Sequence, residues 1–278
     1  MDHGDEVRLV TRLDHPPDRV WRAWTEPSWL CGWHAEDMQG ELHAHGQATL
    51  KWPSLGAELS LAVQSHAPPG RLVLRAGPSG RPPQVLTIEI AAAGSASVMT
   101  VTHKGFTDDA AGRAEMAGTR AGWYVSSRVL EHYLDQFAGY DRACASALGP
   151  AACGLETIGP LITTGAGWAR WLCEDEVALS GEGERFVVHT HDDLILSGHI
   201  LAVRSPYQLA LAIDEISGVI VLRGIQIDPL VTGACLLGIQ AWSWQPDEAP
   251  LWPDLVDSLA GSLSRLTATA SGGRSASA

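Results

Sequence analysis

The longest amphipathic segment of the chain spans residues 112–137, GRAEMAGTRAGWYVSSRVLEHYLDQF. Its apolar side recurs at the three- and four-residue steps that line residues along one stripe of an α-helix. The stripe consists of Met116, Trp123, Ser127, Leu130, Leu134 and Phe137. Asp108 and Asp109 can cap the first turn, and Gly139 can end the helix in a left-handed conformation. The pattern therefore predicts one long helix with a core-facing stripe.

Two glycines, Gly118 and Gly122, lie inside this predicted helix. Each weakens a helix by roughly 1 kcal/mol relative to alanine. We therefore expect close approach of a sheet or a ligand to compensate for them.

The pattern recurs in the second half of the chain. A C-terminal helix is predicted in PLWPDLVDSLAGSLSRL, where Trp252, Val256, Leu259, Leu263 and Leu266 match Trp123, Ser127, Leu130, Leu134 and Phe137 at a constant offset of 129. Upstream, Thr25, Leu30 and Trp33 match Thr163, Trp168 and Trp171 at an offset of 138. Two matched ends predict two copies of one fold. We expect a first domain at 1–142, a small-residue linker at 143–158, a second, degenerate domain at 159–270 and a disordered tail at 271–278.

Between the matched ends, short runs with period-two alternation predict β-strands. In the first copy a strand at 6–13 precedes two short helices, which carry Trp21 and Trp24 and then Trp29, Leu30 and Trp33. Further strands are predicted at 41–45, 47–52, 58–66, 72–75, 85–91 and 97–104. In the second copy they are predicted at 177–179, 185–189, 194–203, 208–213, 219–227 and 234–244. Its first strand is not visible, which a degenerate copy, or a strand supplied by the linker or the other domain, would explain. The layout is α+β.

Composition narrows the possible partners. The chain has 278 residues, 45% of them apolar, and a net charge of −13, which argues against nucleic acid and anionic lipid. The first residues lack a signal sequence and no apolar run approaches the ~18 residues of a membrane span, so we expect no membrane span and a cytoplasmic location. Five cysteines without a C-x-x-C pair are expected to be reduced and mostly buried. Eleven tryptophans against three phenylalanines suit cavity walls as well as cores.

Two motifs resemble a known superfamily. They are T-x-P-x-x-L-x-x-W at Thr25, Pro27, Leu30 and Trp33, and H-K-G-F at 103–106 followed by G-W-x(6)-L-x(3)-L at Gly122, Trp123, Leu130 and Leu134. The chain resembles the SRPBCC (START-like) superfamily, and within it the branch named after the activator of the 90-kDa heat-shock chaperone ATPase. The likeness covers nearly all of 5–137, but only the helix-turn and terminal helix of 160–270.

This resemblance implies two tandem helix-grip domains, each a curved antiparallel sheet wrapped around a long C-terminal helix. In the superfamily the enclosed cavity takes lipids, sterols, polyketides and other apolar molecules, and a few members are cyclases, aromatases or self-resistance proteins of natural-product pathways.

Two His-x-His pairs are candidate metal ligands: His43 with His45, and His189 with His191 beside Asp192 or Asp193. Two imidazoles on one strand face can ligate zinc, but neither pair has a visible third ligand. We therefore predict no metal and no cofactor.

Catalytic motifs are missing from the sequence, since no G-x-S-x-G, P-loop, G-x-G-x-x-G or H-E-x-x-H occurs. A cyclase would use scattered polar groups, for which His66, Arg75, His103, Lys104 and Tyr124 are candidates, although each residue type is more often found at a surface or rim. Cys31 and Cys173 are interpreted as packing residues.

The leading hypothesis is a non-catalytic protein that binds a hydrophobic small molecule, a polyketide-like natural product or a lipid. The predicted ligand-binding residues are Trp24, Trp33, Trp52, His66, Arg75, His103, Met116, Trp123, Ser127 and Leu130. The alternatives are a polyketide cyclase or aromatase and a chaperone-partner protein. The oligomeric state is left open.

Overall fold

The computed structural model describes residues 6–77, 83–175, 177, 179, 181–226 and 233–272. The chain divides into two compact units, Met1–Asp141 (unit 1) and Arg142–Ala278 (unit 2). Each unit consists of one antiparallel sheet followed by a long helix. The predicted α+β class and tandem helix-grip architecture are therefore confirmed.

Unit 1 follows the predicted order of elements. The elements are β1 (Glu6–Leu13), α1 (Pro17–Thr25), α2 (Pro27–Trp33), β2 (Asp37–Gly40), β3 (Gln47–Trp52), β4 (Ala57–Ala67), β5 (Arg71–Ala76), β6 (Gln84–Ala93), β7 (Ala96–Lys104) and α3 (Ala110–Gln136). The sheet order is β1-β7-β6-β5-β4-β3-β2. The strand predicted at 41–45 is wrong, because the strand lies at β2 and the chain then turns through His45, whose φ is 62°.

The long helix α3 begins and ends where its sequence indicates. Asp109 Oδ1 accepts a hydrogen bond from the Gly112 amide at 2.7 Å, which caps the first turn. Beyond the other end, Gly139 has a φ of 93°, the left-handed region that glycine adopts without strain. Along the core-facing stripe, Ser127, Leu130, Leu134 and Phe137 are buried, whereas Met116 and Trp123 are half-buried.

Close approach does not account for Gly118. A Cβ atom placed there would meet no atom within 4 Å. Gly118 lies five residues before Trp123 and so about 140° around the helix from it. This glycine therefore allows neither a contact with the sheet nor a close approach on the Trp123 side.

Unit 2 repeats the same arrangement. Its elements are β8 (Ala143–Ala151), α4 (Leu155–Thr163), α5 (Gly165–Trp168), β9 (Arg185–His189), β10 (Ile195–Arg204), β11 (Gln208–Ile213), β12 (Gly218–Gln226), β13 (Cys235–Ser243) and α6 (Trp252–Gly272). The sheet order is β8-β13-β12-β11-β10-β9. Of the strand predicted at 177–179, Val177 and Leu179 lie outside any strand, and residue 178 lies outside the described residues.

The predicted linker at 143–158 is wrong, because it contains β8 and the start of α4. β8 pairs with β13 along its whole length and forms one edge of the sheet. An edge strand tolerates a proline such as Pro150. Its small residues match the close packing of α6, since a Cβ on Gly149 would lie 3.2 Å from Leu263 Cδ2. The apparent linker is therefore the first strand that the sequence pattern failed to show. Of the predicted tail, residues 271 and 272 belong to α6, and 273–278 lie outside the described residues.

The interior of unit 2 is filled by large side chains. Trp168 and Trp171 are fully buried, and their indole N–H groups donate to the backbone oxygens of Ile162 and Leu161, each at 2.9 Å. Leu255, Leu259 and Leu263 of α6 pack into the same core. A cavity of about 30 Å³ lies between the helix and the sheet, which is room for little more than a water molecule. This core has no space for a polycyclic ligand.

None of the five cysteines, all of which lie among the described residues, forms a disulfide, and three of them are buried. Burial raises the pKa of Cys173, and burial beside Cys153 raises the pKa of Cys235 to about 12. Neither thiol is therefore an activated nucleophile. Within the described part of the chain, no helix combines the length and the apolar character that crossing a membrane requires.

Candidate functional site

Aromatic and imidazole rings of unit 1 contact one another in a network, and we call six of them the aromatic cluster. Its members are Trp24, Trp33, His34, Trp52, His103 and Trp123. The Trp123 ring stacks on His34 at 5.6 Å and 16° and lies 5.8 Å from Trp24. Trp24 meets Trp33 edge-on at 5.0 Å. Offset and edge-to-face pairs of this kind add about 0.5–1.5 kcal/mol beyond area burial.

Hydrogen bonds hold the indoles of the cluster in place. The Trp33 N–H donates to Ala23 O at 2.8 Å, which ties α2 to α1. The Trp52 N–H donates to His34 O at 2.9 Å, which ties β3 to the end of α2. Each donor is satisfied by a neighbouring element, so the rings are fixed before any ligand arrives.

A chain of polar side chains continues from the cluster. The Trp123 N–H donates to His103 Nδ1 at 3.1 Å, and His103 Nε2 lies 3.1 Å from Gln84 Oε1. The Gln84 amide nitrogen in turn donates to Glu115 Oε1 at 2.8 Å. We call these four side chains the polar chain. It links α3 to β7 and β6 through side chains alone.

The polar chain determines the state of His103. Because an indole nitrogen can only donate, Nδ1 must be unprotonated and Nε2 must carry the proton. Burial lowers the pKa of His103 more than the charge of the Glu115 carboxylate raises it. His103 is therefore a neutral imidazole in one tautomer at neutral pH.

The structure brings together half of the predicted ligand-binding residues. Trp24, Trp33, Trp52, His103 and Trp123 lie in the aromatic cluster. Met116, Ser127 and Leu130 share the Trp123 stripe of α3, but the Ser127 hydroxyl donates to Tyr124 O at 2.8 Å within the helix. These three residues line the same side of the helix without joining the cluster.

His66 and Arg75 do not join the cluster. His66 packs edge-on against Trp21 at 5.2 Å. Arg75 is exposed and pairs with Ala62 and Val85, on the sheet face opposite the buried Leu74. The prediction of Arg75 as a site residue is wrong, because strand parity points it away from the interior.

Two other polar candidates are engaged elsewhere. Lys104 is exposed, and its Nζ lies 2.7 Å from Glu6 Oε2. The Arg128 guanidinium carbon lies 5.4 Å from the centre of the Tyr124 ring.

Three contributors escaped the sequence reasoning: His34, Gln84 and Glu115. His34 directly follows Trp33, the last residue of the T-x-P-x-x-L-x-x-W motif, and that adjacency was the available signal. Gln84 and Glu115 meet across 31 positions of sequence. No local pattern reports such a contact.

Neither His-x-His pair occupies one strand face. His43 and His45 lie in the turn after β2, and His189 ends β9 before a turn that contains His191 and Asp193. Asp192 forms an ion pair with Arg265 of α6, whose hydrogen bond lowers the pKa of the Asp192 carboxyl. Among the described residues, no three histidine, cysteine or acidic side chains are grouped closely enough to hold a metal ion.

Comparison with known proteins shows which family unit 1 resembles. The fold and the ring-lined helix face define a tandem helix-grip protein. Residues 14–135 match the family model described as activator of Hsp90 ATPase homolog 1-like protein. This match agrees with the resemblance to this branch of the SRPBCC superfamily that the motifs of unit 1 predicted. A comparison with curated proteins finds no match.

Several solved structures are similar to the chain at low identity. DynU16, described as a protein in the dynemicin biosynthetic locus, is 20% identical, with 96% of this chain and 99% of DynU16 covered and a TM-score of 0.45. CalU16 from Micromonospora echinospora is 20% identical, with 46% of this chain and 75% of CalU16 covered and a TM-score of 0.40. The Aha1 dimer from Colwellia psychrerythraea is 15% identical, with 46% and 95% covered and a TM-score of 0.40. No functional conclusion follows from likenesses this remote.

Proposed function

We propose that unit 1 binds a hydrophobic small molecule, polyketide-like or lipid, against the aromatic cluster and the Trp123 side of α3. The observation that carries the proposal is the uneven burial of the α3 stripe. Ser127 and Leu130 are buried, whereas Met116 and Trp123, on the same helix face, are only half-buried. A core-facing stripe whose apolar side chains stay partly accessible at one end offers apolar surface to a ligand.

The accessible rings at this end of the stripe suit an apolar ligand with a few polar groups. Trp52, His34 and Trp123 are half-buried and offer ring faces and edges. Covering several hundred Å² of such surface at ~25 cal/mol per Å², less the cost of association, corresponds to micromolar affinity or better. The polar chain adds groups that can orient an oxygen of the ligand.

The structure favours binding over the cyclase alternative at one position. A general base needs a free lone pair within reach of substrate. Both ring nitrogens of His103 are engaged, one by Trp123 and one by Gln84. His103 therefore supports the fixed wall of a binding site better than proton transfer.

The test is a fluorescence titration with a panel of a polycyclic polyketide, a sterol and a fatty acid. At least one member should quench the wild-type emission with a saturating curve. Trp123→Ala should weaken that binding more than tenfold, since the ring would form part of the wall. The control is Trp168→Phe, which alters a buried tryptophan of the filled unit 2 core and should leave the affinity unchanged.

If no panel member perturbs the wild-type emission, unit 1 is not a site for these ligands. If Trp168→Phe weakens binding as much as Trp123→Ala does, the ligand is not held at the aromatic cluster. Should Trp123→Ala unfold, Trp52→Phe, which changes a half-buried cluster ring, replaces it.

A further inference from the structure

Two buried thiols of unit 2 lie side by side at one end of its sheet. Cys235 is the first residue of β13 and pairs with Ala151, the last residue of β8. Cys153 follows Ala151 by two positions. Cys153 and Cys235 are 2% and 0% exposed, and both belong to the core that the side chains of unit 2 form among themselves. Their burial is therefore a property of unit 2 alone.

The two thiols are also in hydrogen-bond contact. Burial and the neighbouring Cys153 raise the pKa of the Cys235 thiol to about 12, and part of this rise comes from a hydrogen bond between the two side chains. A hydrogen bond raises the pKa of a thiol when it favours the protonated form, so Cys235 donates its S–H to Cys153 Sγ. Cys153 is therefore the sulfur that can attack an oxidant first, while Cys235 stays protonated beside it.

A cavity of about 250 Å³ lies next to the pair. It is lined by Gly154, which directly follows Cys153, and by Ala234, which directly precedes Cys235. Because a water molecule takes up about 30 Å³ in the liquid, the cavity has room for several molecules of the size of water or hydrogen peroxide. A bulky oxidant such as glutathione disulfide is too large to enter it. The cavity thus offers a small oxidant a route to two otherwise buried sulfurs.

We propose that Cys153 and Cys235 form a reversible disulfide when the protein is exposed to hydrogen peroxide. Cys153 Sγ attacks one peroxide oxygen: an S–O bond forms, the O–O bond breaks, and the thiol proton leaves with the departing hydroxide as water. Cys235 Sγ then attacks the sulfenic sulfur of Cys153: the S–S bond forms, the S–O bond breaks, and the Cys235 proton leaves with hydroxide as a second water. One peroxide is reduced to two waters, and two thiols are oxidised to one disulfide.

The disulfide fastens the edge of the unit 2 sheet. It joins the segment between β8 and α4 to the start of β13, which are far apart in sequence. A cross-link that closes a long loop restricts the unfolded chain and so stabilises the native state. Peroxide therefore makes unit 2 more resistant to unfolding, and a reductant reverses the effect.

The test treats the full folded chain with hydrogen peroxide and maps its peptides by mass spectrometry without reduction. A cross-linked pair of peptides that contains Cys153 and Cys235 should appear, and dithiothreitol should remove it. The Tm of the oxidised protein should lie several degrees above that of the reduced protein.

Entry through the cavity predicts a difference between oxidants. For hydrogen peroxide and for glutathione disulfide, the rate at which the Cys153 thiol is lost in the folded protein is divided by the rate in the urea-unfolded chain. This ratio cancels the intrinsic reactivity of each oxidant and leaves its access to the thiol. It should be lower for glutathione disulfide by roughly tenfold or more.

Three variants test the order of the two steps. Cys235→Ser should stop the reaction at the sulfenic acid of Cys153, which dimedone traps as an adduct. Cys153→Ser should give neither a cross-link nor a dimedone adduct on Cys235. Cys173→Ser is the matched control, because the Cys173 thiol is also buried in unit 2 but donates to the backbone oxygen of Asp175 at 3.1 Å. It should leave the yield of the cross-link unchanged.

The proposal is overturned if the folded wild type forms no cross-link between Cys153 and Cys235, or if the cross-linked protein has the Tm of the reduced protein. A dimedone adduct on Cys235 in Cys153→Ser would refute the order of attack. Equal rate ratios for the two oxidants would refute the cavity as the route. If neither serine variant folds, the peptide map of the wild type still decides whether the pair is oxidised.

Discussion

Replacing Trp123 by phenylalanine tests the polar chain directly. The substitution keeps an aromatic ring next to His34 and Trp24 but removes the N–H group that lies 3.1 Å from His103 Nδ1. A half-buried acceptor then loses its partner, which should lower the free energy of unfolding by about 1–3 kcal/mol. Urea unfolding at neutral pH measures this cost.

The same substitution should change the ionisation of His103. In the wild type the Trp123 N–H stabilises only the neutral imidazole, because Nδ1 must be unprotonated to accept it. Without that donor, a proton can bind Nδ1, so the pKa of His103 should rise toward the ordinary imidazole value of 6.5. Histidine titration by NMR measures the change.

The sign of the pH effect follows from linkage. The folded-state pKa of His103 lies below the unfolded value, so the unfolded chain binds more protons between the two. This group's contribution to stability is complete above pH 6.5 and is lost as pH falls toward the folded-state pKa. In Trp123→Phe this loss should be smaller, because the two pKa values lie closer together.

The matched control is Trp52→Phe. Trp52 is also half-buried, but its N–H donates to the backbone oxygen of His34, which does not titrate in this range. The control should lose comparable stability and leave the His103 titration unchanged. An unaltered His103 pKa in Trp123→Phe would refute the assignment of its tautomer.

Three further predictions concern the fold. Gly118→Ala should stabilise the protein by up to about 1 kcal/mol in urea unfolding without changing ligand quenching, because the position is open and lies off the Trp123 face; a destabilised variant would contradict this. A fragment of residues 142–278 should show a cooperative thermal transition and one of 159–278 should not, because the shorter one lacks β8 and exposes the β13 edge; equal behaviour would contradict the role of β8. Asp192→Asn should cost about 1 kcal/mol and reduce the loss of stability that the wild type shows as pH falls below the ordinary carboxyl value of 3.8, measured by acid titration of unfolding, while Asp109, whose pKa is also lowered, keeps its share; an unchanged acid profile would exclude the ion pair as a source.

Periodicity predicted the elements whose burial is one-sided. The bounds of α3 fall within two residues of the predicted helix, because its stripe and its Asp109 cap are local features. β8 escaped because its residues are Ala, Cys, Ser, Leu, Gly and Pro, which show no alternation. Its strand state depends on pairing with β13 and on contact with α6. Those causes lie about 90 positions and more along the chain, beyond the reach of local pattern.

The candidate site was predictable where aromatic residues belong to motifs. Trp33 and Trp123 stand in the two family motifs, and both lie in the aromatic cluster. The prediction for Arg75 failed because Leu72, Leu74 and Ala76 of β5 face the core, which puts Arg75 on the outer face. Composition and period-two alternation predict two faces of a strand without showing which face is inward.

The two units share the arrangement of sheet and long helix but fill the space between them differently. In unit 1 the imidazole of His103 accepts a hydrogen bond from Trp123 of α3, so polar side chains lie between the sheet and the helix. In unit 2 that space is filled by large apolar side chains around Trp168. A duplicated fold can keep its helix and sheet while the side chains of each copy change independently, because backbone pairing does not depend on which face is polar. Each copy therefore needs its own functional test, and a result for the aromatic cluster of unit 1 does not decide what unit 2 does.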